Sequence, residues 1–415
     1  MKKITSVPLS LQIVLGMFLG IAVGLAFGTQ VSFLGEIGKL LVQLIKIVAG
    51  PLLFMAIIHS IMKTEMTWGS GGKMIRIALT NATLALVVGL AVSNFLRPGD
   101  FLNWQELQKN SPNAVSSTLP AVATQKISFA QSMAGLIPTS WVQPFAENAI
   151  LSLVFLALLL GFGLRKAARE IGQEHREFEK GMELILRALE KILGWVVLLT
   201  PLAVFGIVAK TTAEYGFAPL KGLIWYVIAG LLGLSFQILV IYQGWLKWVV
   251  KMPLGRFWKE AREPAIYSIG ANSSLASLPL TLKALDRLGV SRSASTLGAC
   301  VGTNLNNDGI ILYEAMAVLF VAQAHGIQLG LWQQVSAAVI CLIAAMGIAG
   351  VPEAGFISLS IVLSTVGLPL ELLPLLLTVD WILARARSVT NVLSDMLVSI
   401  VLDKSIQSGS AQKSE

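Results

Sequence analysis

The sequence predicts an all-α polytopic membrane protein, and three observations carry that expectation. Hydrophobic residues make up 55% of the 415 and charged residues 13%, about half the charged share of a soluble globular chain. Stretches such as 150–164 and 221–242 are too apolar, or belong to segments too long, for a soluble surface helix; about 20 apolar residues span a bilayer. No segment alternates apolar and polar residues in the short runs that a transmembrane barrel needs. Lipid forces every backbone polar group to pair internally, so helices are what remains.

The charge distribution sets the orientation. The net charge of +8 is gathered in membrane-flanking clusters. These are Lys2/Lys3, Lys63/Lys73/Arg76, Arg165/Lys166/Arg169/Arg176/Lys180 and Lys247/Lys251/Arg256/Lys259/Arg262. The intervening loops hold few: Arg97, Lys109 and Lys126 in one, Lys210 and Lys221 in another. This positive-inside pattern puts the N-terminus in the cytoplasm and does not describe a nucleic-acid surface. The first apolar stretch starts near Val7, runs on too far for a cleaved signal peptide and shows no small-residue cleavage site. Compact loops suggest an inner membrane, with both termini cytoplasmic and the last residues, 406–415, a cytoplasmic tail.

Enzyme and nucleotide signals are missing. His59, His175 and His325 have no metal spacing, and no HExxH, GxSxG, GxxxxGK[ST] or GxGxxG occurs. Cys300 and Cys341 lie in apolar segments and read as small core residues, not a disulfide.

Helices are expected at roughly 8–29, 37–63, 73–96, 126–166, 178–213 and 219–250. The segment 97–125, with Pro98, Gly99, Pro112 and Pro120, reads as an external loop, and 165–180 as a charged cytoplasmic one. Trp104, Trp141, Trp225, Trp245 and Trp248 suit headgroup anchors. The last third differs. Residues 257–291 hold two short apolar arms around Asn272-Ser273-Ser274-Leu275-Ala276-Ser277-Leu278-Pro279, neither long enough to cross alone. Residues 293–324 are interrupted at Gly302-Thr303-Asn304-Leu305-Asn306-Asn307-Asp308-Gly309. Residues 329–367 repeat the hairpin around Gly350-Val351-Pro352-Glu353-Ala354-Gly355, and 369–404 form a final helix. A broken hairpin followed by a polar helix thus occurs twice. Paired interruptions of this kind point to a transporter binding site; the plainer alternative is kinked helices packed through small residues.

On the final helix Asp380, Ala384, Arg387, Asn391 and Asp395 share one stripe at about 100° per residue, with Ser388 at its edge. Charges inside a membrane segment are expensive and mark function. An arginine grips a carboxylate through two parallel hydrogen bonds, so Arg387 reads as a substrate clamp; the alternative is a structural ion pair with Asp380 or Asp395. Arg385 lies off the stripe. It pairs with Glu353 or Glu314, or it borders the pocket. Asp308, in a broken helix, and Asp395, with the Asn391 backbone, offer oxygen ligands to a small hard cation; the alternative is capping of interrupted backbone. Ser273, Ser274 and the amides around Gly350 and Val351 can aim N–H groups at an anion, although serine-rich tips are also ordinary turns.

These motifs resemble the glutamate transporter family, the dicarboxylate/amino acid:cation symporters. The likeness lies in Asn272 through Pro279, Asn306-Asn307-Asp308-Gly309-Ile310, Gly350 through Gly355, and Asp380 through Asp395. It covers 257–404 and extends upstream through Phe95-Leu96-Arg97-Pro98-Gly99 and Ile137-Pro138-Thr139. The resemblance implies eight transmembrane helices, two re-entrant helical hairpins with inverted repeats, and a homotrimer working as an elevator. The implied scaffold is 1–72 (helices 1–2) and 126–218 (helices 4–5). The implied transport domain is 73–125 (helix 3 and the external loop), 219–256 (helix 6) and the core at 257–405. Hairpin two would be the outer gate. By resemblance Arg387 binds the substrate side-chain carboxylate, and Asn391 with the hairpin tips binds the main carboxylate. Gly302, Asn306, Asn391 and Asp395 form one sodium site, and Asp308 helps form another.

The departures are as informative. Amino-acid carriers place an aspartate at Ala384 to hold the substrate amine, and the dicarboxylate branch lacks it; the second hairpin and Asp380-Trp381 look like the amino acid branch. The motif's methionine is Asn307, its threonine is Ile310, and the third helix carries Asn81-Ala82 for a threonine-serine pair. Coupling by fewer sodium ions, by protons, or weakly is open, with Glu353 a proton carrier by position. No cofactor beyond Na+ or H+ as coupling ion is expected. The leading function is a secondary active transporter, a probable cation-coupled symporter, of a small carboxylate, leaning to a C4-dicarboxylate. The alternative is a sodium-coupled glutamate/aspartate symporter. A passive anion channel is more remote, and an intramembrane enzyme using Ser273 or Ser274 has no base placed by motif.

Overall fold

A computed structural model describes residues 9–63, 68–102, 104, 137–146, 150–171, 175–301, 306–346 and 354–411. Among the described residues, the regular structure is all helical, joined by short turns. We number the helices α1 (Leu9–Phe27), α2 (Gly35–Lys63), α3 (Trp68–Leu96), α4 (Ile150–Ile171), α5 (His175–Val197) and α6 (Thr200–Tyr215). α7 is Ala218–Phe236, continued by π-turns at Gln237–Tyr242 and Trp245–Val250. Then follow α8 (Leu254–Ala271), α9 (Ser274–Leu288), α10 (Arg292–Ser295, continued by the π-turn Thr296–Val301), α11 (Asp308–Ala324), α12 (Leu331–Met346), α13 (Ala354–Val366) and α14 (Leu373–Ala411).

Among the described residues, three helical stretches are long and apolar enough to cross a membrane by themselves: Leu11–Ile37, Gly71–Leu96 and Pro219–Val250. The run expected as one helix over 178–213 is broken instead. α5 and α6 meet at a 41° bend, because Pro201 has no N–H to give the preceding turn and suits the start of a new helix. The helix expected over 126–166 is likewise interrupted in the described part. Residues 137–142 are bends, Gln143–Ala146 is one turn around Pro144, and α4 starts at Ile150.

Two packing groups result. α1, α2, α4, α5 and α6 pack mainly on one another, as do α3 and α7 through α14. α1 and α6 approach through glycine. A Cβ at Gly16 would lie 2.6 Å from the Pro201 carbonyl oxygen, and one at Gly20 2.7 Å from that of Phe205. Small residues allow such contact where lipid removes the hydrophobic drive between helices.

The first hairpin appears where the sequence placed it. α8 and α9, of 18 and 15 residues, are about 27 and 22 Å long, short of a ~30 Å hydrocarbon core. Their turn is made by Asn272 in the left-handed region (φ 48°) and Ser273 as N-cap of α9. α12 and α13 are the arms of the second hairpin, and its tip, with Gly350, Val351 and Glu353, lies outside the described residues, as does Gly302. α14 threads the second packing group and is buried without interruption from Thr390 to Asp403.

Replacing Gly20 by leucine should overpack the α1–α6 seam by about 1–3 kcal/mol, read as a lowered thermal midpoint of the purified protein.

Candidate functional site

α14 brings its charges into one buried stripe. Arg387 and Asp380 stand two turns apart and meet side chain to side chain. Nη1 donates to Oδ1 at 2.6 Å and Nη2 to Oδ2 at 3.1 Å, the parallel fork that makes arginine distinctive. The guanidinium carbon lies 4.0 Å from the ring centre of Tyr313 on α11, adding a cation–π contact. Arg387 is 3% exposed and Asp380 1%. Either charge alone would cost several kcal/mol in such a place, so each makes the other's burial tolerable. α13 adjoins the same group, since a Cβ at Gly355 would lie 3.0 Å from Cζ, Nε and Nη2 of Arg387. Of the two readings of Arg387, the ion pair with Asp380 is therefore present. It also aims and rigidifies the fork that a substrate clamp needs.

Ala384 is buried one turn before Ser388, whose hydroxyl lies 3.0 Å from the Ala384 carbonyl oxygen and 3.3 Å from Asn272 Oδ1 at the first hairpin turn. Ser273 Oγ accepts from the Ala276 amide at 3.2 Å, capping α9, and Ser274 is buried beside it. Arg385, half-buried, donates to the Trp381 carbonyl at 2.5 Å and sits 5.8 Å from the centre of that ring. Among the described residues, these contacts are local to its own helix.

A second constellation surrounds Asp308, the first residue of α11. Three donors converge on its Oδ2: the Asn81 amide from α3, the Tyr242 hydroxyl at 2.9 Å from α7 and the Ser394 hydroxyl at 2.5 Å from α14. Ser394 Oγ also accepts from the amides of Asn81 at 2.8 Å and Asn306 at 2.7 Å, which directs its proton to Asp308. A π-turn bonds i to i+5, so the one at Gln237–Tyr242 shifts the register of α7 just where Tyr242 turns inward. Asp395 Oδ1 is 3.5 Å from Asn306 Nδ2. Among the described residues, Oδ1 of Asp308, of Asn81 and of Asn306 accept no hydrogen bond. Three buried oxygens on hydrogen-bonded neighbours are the donor type that a small hard cation takes.

Asn391 joins the two constellations. Its Oδ1 accepts from the Gly309 amide at 2.8 Å, and its Nδ2 lies 3.4 Å from Asn307 Oδ1. Arg387, Asn391, Asn306, Asp308 and Asp395 are thus brought together, with Asp380, Ala384 and Ser388, where α11, α14 and the hairpins meet. Sequence reasoning missed Tyr242, Tyr313 and Ser394. Ser394 lies seven residues after Arg387, on the same helical face, and that spacing could have found it. Tyr242 is 66 residues from Asp308 and carried no signal. Glu314 is fully buried on α11, with Ser358 of α13 and Arg387 among its polar surroundings.

A buried arginine fork and a set of buried oxygens, brought together where α3, α7, α11 and α14 meet, are features of a membrane carrier for an anion. The chain belongs to the sodium:dicarboxylate symporter family, whose sequence profile matches residues 9–405. It is 28% identical over 401 residues to the C4-dicarboxylate transport protein of Deinococcus radiodurans, covering 96% of this chain and 89% of that one. It is 31% identical over 405 residues to the protein of that name from Anaeromyxobacter sp. strain K, at 95% and 89% coverage. The Bacillus subtilis C4-dicarboxylate transport protein is 26% identical over 401 residues, at 96% and 93%.

Asp380→Ala should strand the Arg387 charge and cost about 3–5 kcal/mol of stability. The double variant Asp380→Ala/Arg387→Met should recover most of the lost thermal midpoint.

Proposed function

We propose that this protein is a secondary active transporter of a C4-dicarboxylate, with Arg387 holding one substrate carboxylate. The observation that carries this reading is the placement of Arg387. Its fork is buried, aimed by Asp380 and Tyr313, and bordered by the second hairpin at Gly355. A guanidinium has more N–H donors than one carboxylate can engage, so substrate can bind beside Asp380 or exchange with it. The second carboxylate is held by Asn391, Ser388 and the amide-rich tips at Ser273, Ser274, Gly350 and Val351. The names of the relatives support the substrate class.

A sodium-coupled glutamate or aspartate symporter is the second reading. Ala384, buried at the position where amino-acid carriers place a carboxylate, speaks against it, because a methyl group cannot pair with an ammonium. The coupling cation is cargo. Asn306 and Asp308 with Asn81, and Gly302, Asn391 and Asp395, are the residues we assign to hold it, and the orphaned oxygens of the first group suit Na+. Were H+ the coupling ion, Glu353 and the buried Glu314 are the carboxyls placed to carry it. We further infer the elevator arrangement: eight spans and two re-entrant hairpins in an inner-membrane homotrimer, termini cytoplasmic. Residues 1–72 and 126–218 form its scaffold and 73–125 with 219–405 its moving part. The two packing groups of helices support that division.

Proteoliposomes loaded to hold an inward sodium gradient and then a proton gradient should accumulate labelled succinate in preference to labelled aspartate. Preferred aspartate uptake would overturn the substrate assignment. Indifference to both gradients would overturn coupling.

A further inference from the structure

Asn307 is a polar residue, fully buried, at the N-cap of α11. An asparagine in that position ordinarily turns its oxygen back onto its own helix, and here no such side-chain cap forms. The carboxamide reaches outward in two directions instead. Nδ2 donates to the Ala345 carbonyl at 2.9 Å, and Oδ1 lies 3.4 Å from Nδ2 of Asn391. Asn391 in turn accepts the Gly309 amide at 2.8 Å. Ala345 stands in the last turn of α12 (Leu331–Met346), where carbonyls lack a partner further along the helix. The acceptor is therefore the end of the arm that leads into the second hairpin tip.

The result is a continuous buried chain of carboxamides: Gly309 on α11, Asn391 on α14, Asn307, then α12. A carboxamide can do this because one end donates and the other accepts. An apolar side chain of the same size would fill the volume and join nothing. None of the three orphaned oxygens near Asp308 and neither bond of the Arg387 fork belongs to this chain.

We propose that Asn307 is a positioning residue that latches the first arm of the second hairpin to Asn391, so that the arm and the carboxylate-binding asparagine move between open and closed states together. The proposal rests on the reading of Asn391 and this hairpin as part of the substrate site. With the latch made, the arm is held against α11 and Asn391 is fixed in rotamer. With it broken, the arm leaves more readily and Asn391 keeps only its bond from the Gly309 amide.

The protein carries its own reporter. Cys341 lies one turn before Ala345 on α12 and is fully buried, while Cys300 lies apart on the π-turn after α10. In a Cys300→Ala background, the rate at which maleimide modifies Cys341 reads the opening of the arm. The experiment compares the background protein with Asn307→Leu and Asn307→Asp, in detergent, without substrate and with saturating succinate. Leucine removes both bonds at similar volume. Aspartate keeps the acceptor facing Asn391 and replaces the donor with a carboxylate oxygen that repels the Ala345 carbonyl. Both variants should modify Cys341 at least tenfold faster without substrate and should raise the succinate concentration needed for half protection. Should Asn307→Leu fail to fold, judged by gel filtration and thermal midpoint, Asn307→Asp carries the same expectation. Background-like rates in a folded variant overturn the latch. Faster modification in the variants, together with no succinate protection of the background protein, leaves the latch standing and overturns the substrate reading instead.

Discussion

A charge stays in the interior of a membrane protein only when its partners are built in beside it, and the mutual neutralisation of Arg387 and Asp380 is the contact on which the candidate site depends. The pair sits two turns apart on α14, against the Tyr313 ring and the Gly355 backbone. Removing one member leaves the other stranded in a low dielectric. Together they hold a guanidinium at membrane depth in a fixed orientation, which a carboxylate ligand can use without first ordering a flexible side chain. Glycine at 355 suits the same contact, since a Cβ there would press on the fork at 3.0 Å.

The Asp308 cluster solves the same problem differently. Asp308 is fully buried and is held by neutral donors; the amide of Asn81 and the hydroxyls of Tyr242 and Ser394 share one of its oxygens. Hydrogen bonds to the ionised form offset part of its desolvation. The other oxygen joins those of Asn81 and Asn306 in accepting no hydrogen bond among the described residues. One carboxylate thus serves both as a strut between α3, α7, α11 and α14 and as an available ligand. Substituting a side chain in this cluster would disturb that strut and, with it, the cation site we propose there.

Much of this was legible in the sequence because the physics is periodic. Asp380, Ala384, Arg387, Asn391 and Asp395 fall on one stripe by helix geometry alone, and they are buried together. The first hairpin was readable from an interruption whose flanking arms are too short to span a bilayer, and the structure places its turn at Asn272 and Ser273. What was not legible depends on contacts between segments far apart in the chain. Nothing near Tyr242 announces Asp308, and a continuous apolar run conceals the π-turn that aims the tyrosine inward. The 41° bend between α5 and α6 was missed although Pro201 stands at the break, because hydrophobicity continues across it. Asn307 stood out as a departure from a motif, but its reach to Ala345 exists only once α12 lies beside α11.

The most direct measurement is calorimetric binding of succinate and of its monoamide, succinamate, to the purified protein and to Arg387→Lys. The two ligands differ in one ionised oxygen pair, so their affinity ratio reads how strongly the site grips a carboxylate over a neutral amide. A charged hydrogen bond is worth about 1.5–3 kcal/mol, so the unmodified protein should prefer succinate by more than about tenfold. In Arg387→Lys, which keeps the charge and loses the fork, that preference should collapse toward unity. A preference that survives the substitution unchanged would contradict the assignment of Arg387 as the group that holds the substrate.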